Sequence, residues 1–224
     1  MIARWGLLPT AAVAGVLGWG AWLLPPGWPQ GLGASIAALG TLFVLWFFRC
    51  PSRRPPPGEH RLVAPADGTV WDIADVNEPA VIGGPARRIG IFLSVLDVHV
   101  NRAPCSGTVI YAAYRPGRFL DARHPEAAEA NEANTLGIAC DPAVGRDLRI
   151  VVRQIAGLIA RRIVCTHGLG DRLQRGELYG MIRFGSRTEL LVPLDRPHRV
   201  LVKPGERVRG GETVLVEFLP EGDG

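Results

Sequence analysis

Charge disappears from the chain after Arg4 and returns only at Arg49. Within that span, residues 5–24 and 32–48 form apolar runs of 20 and 17 residues. At 1.5 Å per residue, helices of those lengths measure about 30 and 25 Å, close to the hydrocarbon thickness of a bilayer. Pro25-Pro26-Gly27-Trp28-Pro29-Gln30-Gly31 separates the runs and predicts a turn. Trp5, Trp19, Trp22, Trp28 and Trp46 lie here, several at the expected headgroup level. The pattern predicts a helical hairpin in the membrane over residues 1–49. A re-entrant hairpin stays open, since both arms are glycine-rich and the second is short. A cleaved signal peptide fits less well, because Arg4 is the sole basic residue before the first run and a second run follows. Arg49, Arg53 and Arg54 follow the second run while the turn is uncharged, which places both chain ends in the cytoplasm. Residues 50–60, with Pro51 and Pro55-Pro56-Pro57-Gly58, read as a stiff linker.

From residue 61 to 224 the apolar and β-branched runs are short and broken by Gly, Pro and Asp, which predicts a mainly β domain. Strands are expected at 68–72, 88–93, 107–111, 136–140, 148–155, 160–166, 179–184, 189–193 and 213–218. Residues 125–132 read as helix or loop. Two stretches echo each other: Ala64-Pro65-Ala66-Asp67-Gly68-Thr69-Val70 and Ala103-Pro104-Cys105-Ser106-Gly107-Thr108-Val109. The tail from Val202 to Leu215 has the glycine-at-turn rhythm of barrel-sandwich folds such as lipoyl and biotinyl domains, without a lysine at a hairpin tip. The expected fold is therefore a barrel-sandwich-like β domain after a helical hairpin.

Charge and cysteine content narrow the function. Lys203 is the single lysine among 25 basic residues, set against 21 acids, for a net charge of +4. That balance suits an anionic lipid surface, and a biased genomic base composition explains the arginine excess equally well. No basic run or basic stripe with interleaved aromatics is present, so nucleic acid is not an expected partner. Cys50, Cys105, Cys140 and Cys165 form no C-x-x-C pair, which argues against a zinc site and a disulfide scaffold.

The chemistry-bearing stretch runs from Gly176 to Leu190. It alternates apolar and polar residues into Gly185-Ser186, a strand entering a tight bend. Gly-Ser is an ordinary turn pair. In a strained bend, however, the serine hydroxyl can attack the preceding carbonyl. Imidazole titrates near neutral pH, so any of the five histidines could give and take a proton; on its own pattern His99 reads more readily as a structural histidine at a strand edge. Arg161, Arg162, Arg183 and Arg187 are candidates to hold a lipid phosphate by bidentate contacts, with surface charge the default for any single one. No Gly-x-Ser-x-Gly elbow, P-loop or His-Glu-x-x-His motif occurs.

Five segments in order resemble the short bacterial and archaeal phosphatidylserine decarboxylase proenzymes, over roughly residues 60 to 218. They are Ala64-Pro65-Ala66-Asp67-Gly68, Leu96-Asp97-Val98-His99-Val100-Asn101-Arg102-Ala103-Pro104, Asn131-Glu132-Ala133-Asn134, Ala160-Arg161-Arg162-Ile163 and Phe184-Gly185-Ser186-Arg187. The resemblance implies self-cleavage between Gly185 and Ser186 into chains 1–185 and 186–224, which stay together as a heterodimer. It implies a pyruvoyl group at Ser186, with neither metal nor pyridoxal phosphate, that takes the substrate amine as a Schiff base. Phosphatidylserine would lose CO2 to give phosphatidylethanolamine at the cytoplasmic membrane face. His99 would be the acid–base residue, Asp67 an orienting group in self-cleavage, and Arg183 and Arg187 substrate contacts. The family's longer forms carry a second histidine where this chain has Arg102, so a cleavage relay through that residue does not transfer. Exposed edge strands are often covered by a second copy, which makes a dimer of the heterodimer a further expectation. The competing reading is a membrane-tethered barrel-sandwich interaction module without catalysis.

Overall fold

The computed structural model describes residues 2–219 apart from 119, 122, 123, 125, 158–162 and 183–185. The chain divides into two compact units, Met1–Ser52 and Arg53–Gly224.

The first unit is a helix pair. After a 3-10 turn at Arg4–Gly6 come α1 (Leu7–Trp22) and α2 (Trp28–Phe47). The reversal is tighter than the sequence suggests. Gly27, at φ 111°, makes the turn, and Pro29 falls in the first turn of α2, where a missing N–H costs no helix bond. The helices meet over small residues, with Gly40 against Leu17 and Gly33 against Ala21. The Ala3 N–H donates to the Phe48 carbonyl and closes the open end. Only α2, with 20 residues, is long and apolar enough to cross a membrane among the described residues. The first arm is shorter than expected because its start is spent on the 3-10 turn. Leu8, Trp19, Trp22, Leu39 and Leu42 are exposed, which leaves the pair with an apolar exterior.

The second unit is mainly β. In order its elements are β1 (Arg61–Val63), β2 (Gly68–Glu78), β3 (Gly84–Leu93), β4 (Val100–Arg102), β5 (Gly107–Arg115), α3 (Ala127–Ala130), β6 (Ala133–Cys140) and β7 (Arg149–Ile155). Then follow β8 (Ile163–Cys165), β9 (Arg172–Leu173), β10 (Leu178–Ile182), β11 (Ser186–Pro193), β12 (His198–Val200), β13 (Arg207–Val208) and β14 (Val214–Phe218). An eight-stranded antiparallel sheet runs β13-β2-β3-β11-β7-β6-β5-β9, with two three-stranded sheets, β1-β14-β12 and β4-β10-β8. The core lies between them. Val70, Ile89, Ile91, Val109, Leu136, Ile138, Ile150, Val152, Leu190 and Val192 supply it from the large sheet, and Leu62, Leu215 and Phe218 from a small one. The proline-rich stretch from Arg53 onward is laid on this unit. Arg53 bonds Asp67 and the Gly210 carbonyl, and Arg175 donates to the carbonyls of Pro56 and Gly58.

The sequence echo is also a structural one. Gly68 opens β2 and Gly107 opens β5, and each strand is bulged shortly after, between Val70 and Asp72 and between Val109 and Tyr111. β13 pairs with β2 through Thr69↔Arg207, and β9 with β5 through Thr108↔Arg172. The bonds repeat too. Gly205 N–H to Val70 O and Val70 N–H to Glu206 O match Gly170 N–H to Val109 O and Val109 N–H to Asp171 O, at 2.8 and 2.9 Å in both copies. The large sheet is thus two half-sheets, β13-β2-β3-β11 and β9-β5-β6-β7, joined where β11 meets β7.

Candidate active site

β11 lies in the middle of the large sheet, and all eight of its residues are buried. Ser186 is its first residue, paired with Leu93 of β3, and not part of a bend as the sequence suggested. β3 draws Ser186, Arg187 and Thr188 into the ladder, and β7 pairs with Arg187 and Thr188 from the other side. Their polarity hides this from a pattern reading, because both faces of the strand are covered. The Ser186 side chain points to the core side, in phase with Thr188, Leu190 and Val192. Its Oγ is buried and has no hydrogen-bond partner among the described residues. Leaving such a group unpaired costs on the order of 1–3 kcal/mol. Gly185 and Arg183 lie outside the described residues.

His99 is fully buried just ahead of β4. Its Nδ1 lies 2.9 Å from the Asp97 carbonyl oxygen. A carbonyl can only accept, so Nδ1 carries a proton, and in the neutral ring Nε2 is then the basic nitrogen. The His99 carbonyl accepts from Ile182 N–H at 3.1 Å, and Asn101 Nδ2 donates to Thr188 Oγ1 at 3.2 Å. Two residues of one short segment thus grip the chain on either side of Ser186. Asp97 fixes the turn that delivers His99. Its carboxylate accepts from Ser94 N–H and Oγ at 2.8 and 2.7 Å and pairs with Arg207 at 2.5 Å.

A buried amide relay, not anticipated from the sequence, supports this grip. Asn134 Nδ2 donates to Gln154 Oε1 at 3.0 Å, and Gln154 Nε2 donates to Asn101 Oδ1 at 2.8 Å and to the Val164 carbonyl at 3.3 Å. Asn101, Gln154 and Thr188 are all 1% exposed or less. The signal was available in the sequence. Gln154 continues the core-facing alternation of Ile150 and Val152, Asn134 that of Leu136 and Ile138, and Thr188 that of Leu190 and Val192. Nearby, Asn131 clips two segments together, donating to the carbonyls of Leu120 and Ala156, and Glu132 accepts from Ile163 N–H.

The remaining expected residues sit elsewhere. Asp67 caps a turn: one oxygen accepts from Gly210 N–H at 2.9 Å and the other pairs with Arg53 at 2.7 Å. No hydrogen bond from Asp67 to His99 occurs among the described residues. In the second half-sheet Ser106 has the place of Asp67, and its Oγ accepts from Arg175 N–H at 3.1 Å. Arg187 leaves β11 on the face opposite Ser186 and is 4% exposed. It pairs with Asp72 at 2.9 Å and Glu189 at 2.8 Å, and Arg153 also reaches Glu189. Gly90 makes room for this cluster, since a Cβ there would lie 2.1 Å from Asp72 Oδ1. A lipid phosphate would have to displace two carboxylates to reach Arg187, so the substrate contact expected of it finds no support. Arg102 is buried and donates to the Gly176 carbonyl at 2.8 Å. Burial pushes the phenol of Tyr179 well above its usual range.

Residues 41–216 match the family model described as phosphatidylserine decarboxylase. The chain is 48% identical over 184 residues to the phosphatidylserine decarboxylase proenzyme of Symbiobacterium thermophilum, covering 82% of each chain. It is 51% identical over 174 residues to that of Carboxydothermus hydrogenoformans, covering 78% of this chain and 79% of the other. Against the proenzyme of Saccharopolyspora erythraea the figures are 44% over 212 residues and 87% of each chain.

Proposed function

The chain belongs to the phosphatidylserine decarboxylase family, and from that premise we propose how its residues divide the work. The enzyme removes the carboxyl group of phosphatidylserine, and the pyruvoyl group formed by its own cleavage supplies the electron sink. Ser186 is the precursor of that group. Its Oγ attacks the Gly185 carbonyl, the peptide C–N bond breaks as the ester forms, and the hydroxyl proton passes to the freed amine. Elimination then releases chain 1–185 with a carboxylate end. Water replaces the remaining nitrogen, which leaves as ammonia.

The observation that carries this reading is the buried, unpartnered Oγ of Ser186 at the head of a strand clamped on both sides. A buried hydroxyl with no hydrogen-bond partner among the described residues keeps its lone pairs for attack on the preceding carbonyl.

His99 is the acid–base residue. The bond from Nδ1 to the Asp97 carbonyl leaves Nε2 to take up a proton and to return one to the carbon that has lost CO2. Asp67 is a positioning residue for cleavage. Ser106 makes the same cap without a charge, so the carboxylate of Asp67, paired with Arg53, exceeds what the turn requires. With Arg187 committed to Asp72 and Glu189, the role of holding the lipid phosphate falls to Arg183, with Arg161 and Arg162 as further candidates. Chain 186–224 stays bound to chain 1–185 because β11 lies between β3 and β7, β13 pairs with β2, and β14 pairs with β1. Residues 1–49 hold the enzyme in the membrane with both ends in the cytoplasm.

Intact-mass measurement tests the assignment. The purified enzyme should give two chains, the smaller beginning at residue 186 without a free amine and reacting with hydroxylamine. Ser186→Ala should stay whole and inactive; a cleaved Ser186→Ala chain would remove Ser186 from the role.

A further inference from the structure

Two large apolar side chains that the β domain leaves exposed stand on one basic rim next to the Ser186 region. Leu96, 65% exposed, sits in the turn at 94–97, between Leu93, the ladder partner of Ser186, and His99. Trp71, 46% exposed, is the extra residue of the β2 bulge, and its ring lies 6.3 Å from that of Phe92. The ladder connects the two places. Phe92 pairs with Thr69, Thr69 with Arg207, and Arg207 with the Asp97 carboxylate in the Leu96 turn. The Arg207 side chain is itself 71% exposed. The turn at 203–206 hooks onto Val70, the neighbour of Trp71, and carries the exposed Lys203.

We propose that this rim, Trp71 and Leu96 framed by Lys203 and Arg207, rests on an anionic phospholipid bilayer and turns the Ser186 end of the sheet toward it. The proposal builds on the decarboxylase reading above, in which the substrate is a membrane lipid. Three features favour a bilayer over a protein partner. The apolar groups are separate tips and not a continuous groove. One is an indole, whose apolar body and polar N–H suit the headgroup boundary. The outermost charges beside them, Lys203 and Arg207, are cations that match a negatively charged lipid surface, while the acids near them, Glu206 and Asp97, are half-buried and buried. A substrate headgroup lies at that same level, so contact there brings the scissile carboxyl to the site without lifting the lipid far from its acyl neighbours.

The test compares one reaction in two physical forms, using the full-length enzyme. CO2 release is measured from phosphatidylserine diluted into phosphatidylglycerol vesicles, and from short-chain dihexanoyl phosphatidylserine dissolved as monomers. Leu96→Glu and Trp71→Glu should raise the apparent KM on vesicles at least about tenfold, the scale of one lost buried leucine. They should leave self-cleavage and the monomer reaction as in wild type. Equal losses on both substrates, or no loss on vesicles, would overturn the proposal. A change in particle mass by light scattering would instead assign the rim to a second copy and equally reject the bilayer. If the glutamate variants fail to self-cleave, Leu96→Ser and Lys203→Glu make the same comparison. Wild type that is inert toward both substrates would reject the decarboxylase reading itself, which is a separate outcome.

Discussion

Gln154→Leu separates positioning from stability. Leucine keeps most of the side-chain volume but removes the amide at the centre of the relay. Three groups then lose a partner: Asn134 Nδ2, Asn101 Oδ1 and one bond to the Val164 carbonyl. Each orphaned buried group costs about 1–3 kcal/mol, offset by the apolar burial leucine gains, which leaves a net loss of roughly 2–4 kcal/mol. Leu136→Ala, in the same core but outside the relay, should cost about the same, in the range of 2–5 kcal/mol. Denaturant midpoints would match the two variants in stability. Their cleavage rates should differ, because Asn101 grips Thr188 and a shift near 1 Å at a reacting centre costs about 100-fold. Pulse–chase of freshly translated chains gives that rate directly. If Gln154→Leu and Leu136→Ala cleave equally fast at matched stability, the relay is ordinary core and the reasoning fails.

Other expectations follow from the same geometry. Arg187→Ala strips Glu189 and Asp72 of a buried counter-charge and should cost about 3–5 kcal/mol, with KM for vesicle substrate unchanged; a raised KM at normal stability would restore Arg187 as a phosphate contact. Asp67→Ser copies what Ser106 does in the other half-sheet, so the variant should fold and bind Gly210 N–H yet cleave slowly; cleavage at the wild-type rate would remove Asp67 from the reaction. The hydrogen bond to Cys140, and after it burial, holds the Cys105 thiol well above its ordinary range. Its thiolate is therefore scarce at neutral pH and the side chain is fully buried, so alkylation mapped by peptide mass should label the half-buried Cys140 and leave Cys105 unlabelled in the folded enzyme; equal labelling at neutral pH would contradict this.

The parts of this protein legible from sequence are those with a local cause. Two apolar runs give the helix pair, and short β-branched runs give the sheet. Ser186 and His99 stand out only through the segments that carry them, Phe184-Gly185-Ser186-Arg187 and Leu96–Pro104, because a Gly-Ser pair alone is an ordinary turn and the chain has five histidines. What escaped notice depends on strands far apart in sequence. β4, β9, β12 and β13 are two or three residues long, too short for any alternation to show. The true start of β11 was hidden because Arg187 and Glu189 face buried counter-charges on the far side of the sheet. Asn101, Asn134 and Gln154 were overlooked because each looks like surface polarity until partners from other strands complete it. Arg187, next to Ser186 along the chain, leaves the strand on the opposite face and meets Asp72 and Glu189 there.

The matched half-sheets offer two equivalent corners, and the sequence treats them differently. Continuing the ladder registers, Leu148 stands opposite Cys140 as Ser186 stands opposite Leu93. On the core side β11 reads Ser186, Thr188, Leu190, Val192, and β7 reads Leu148, Ile150, Val152, Gln154. Because the two strands run in opposite directions, Ser186, Thr188 and Gln154 gather at one corner while Leu148, Ile150 and Val192 fill the other with hydrocarbon. On this twofold scaffold the Ser186 corner carries three polar residues where its twin carries hydrocarbon, and the greasy twin shows what the same corner looks like when it is built for cohesion alone.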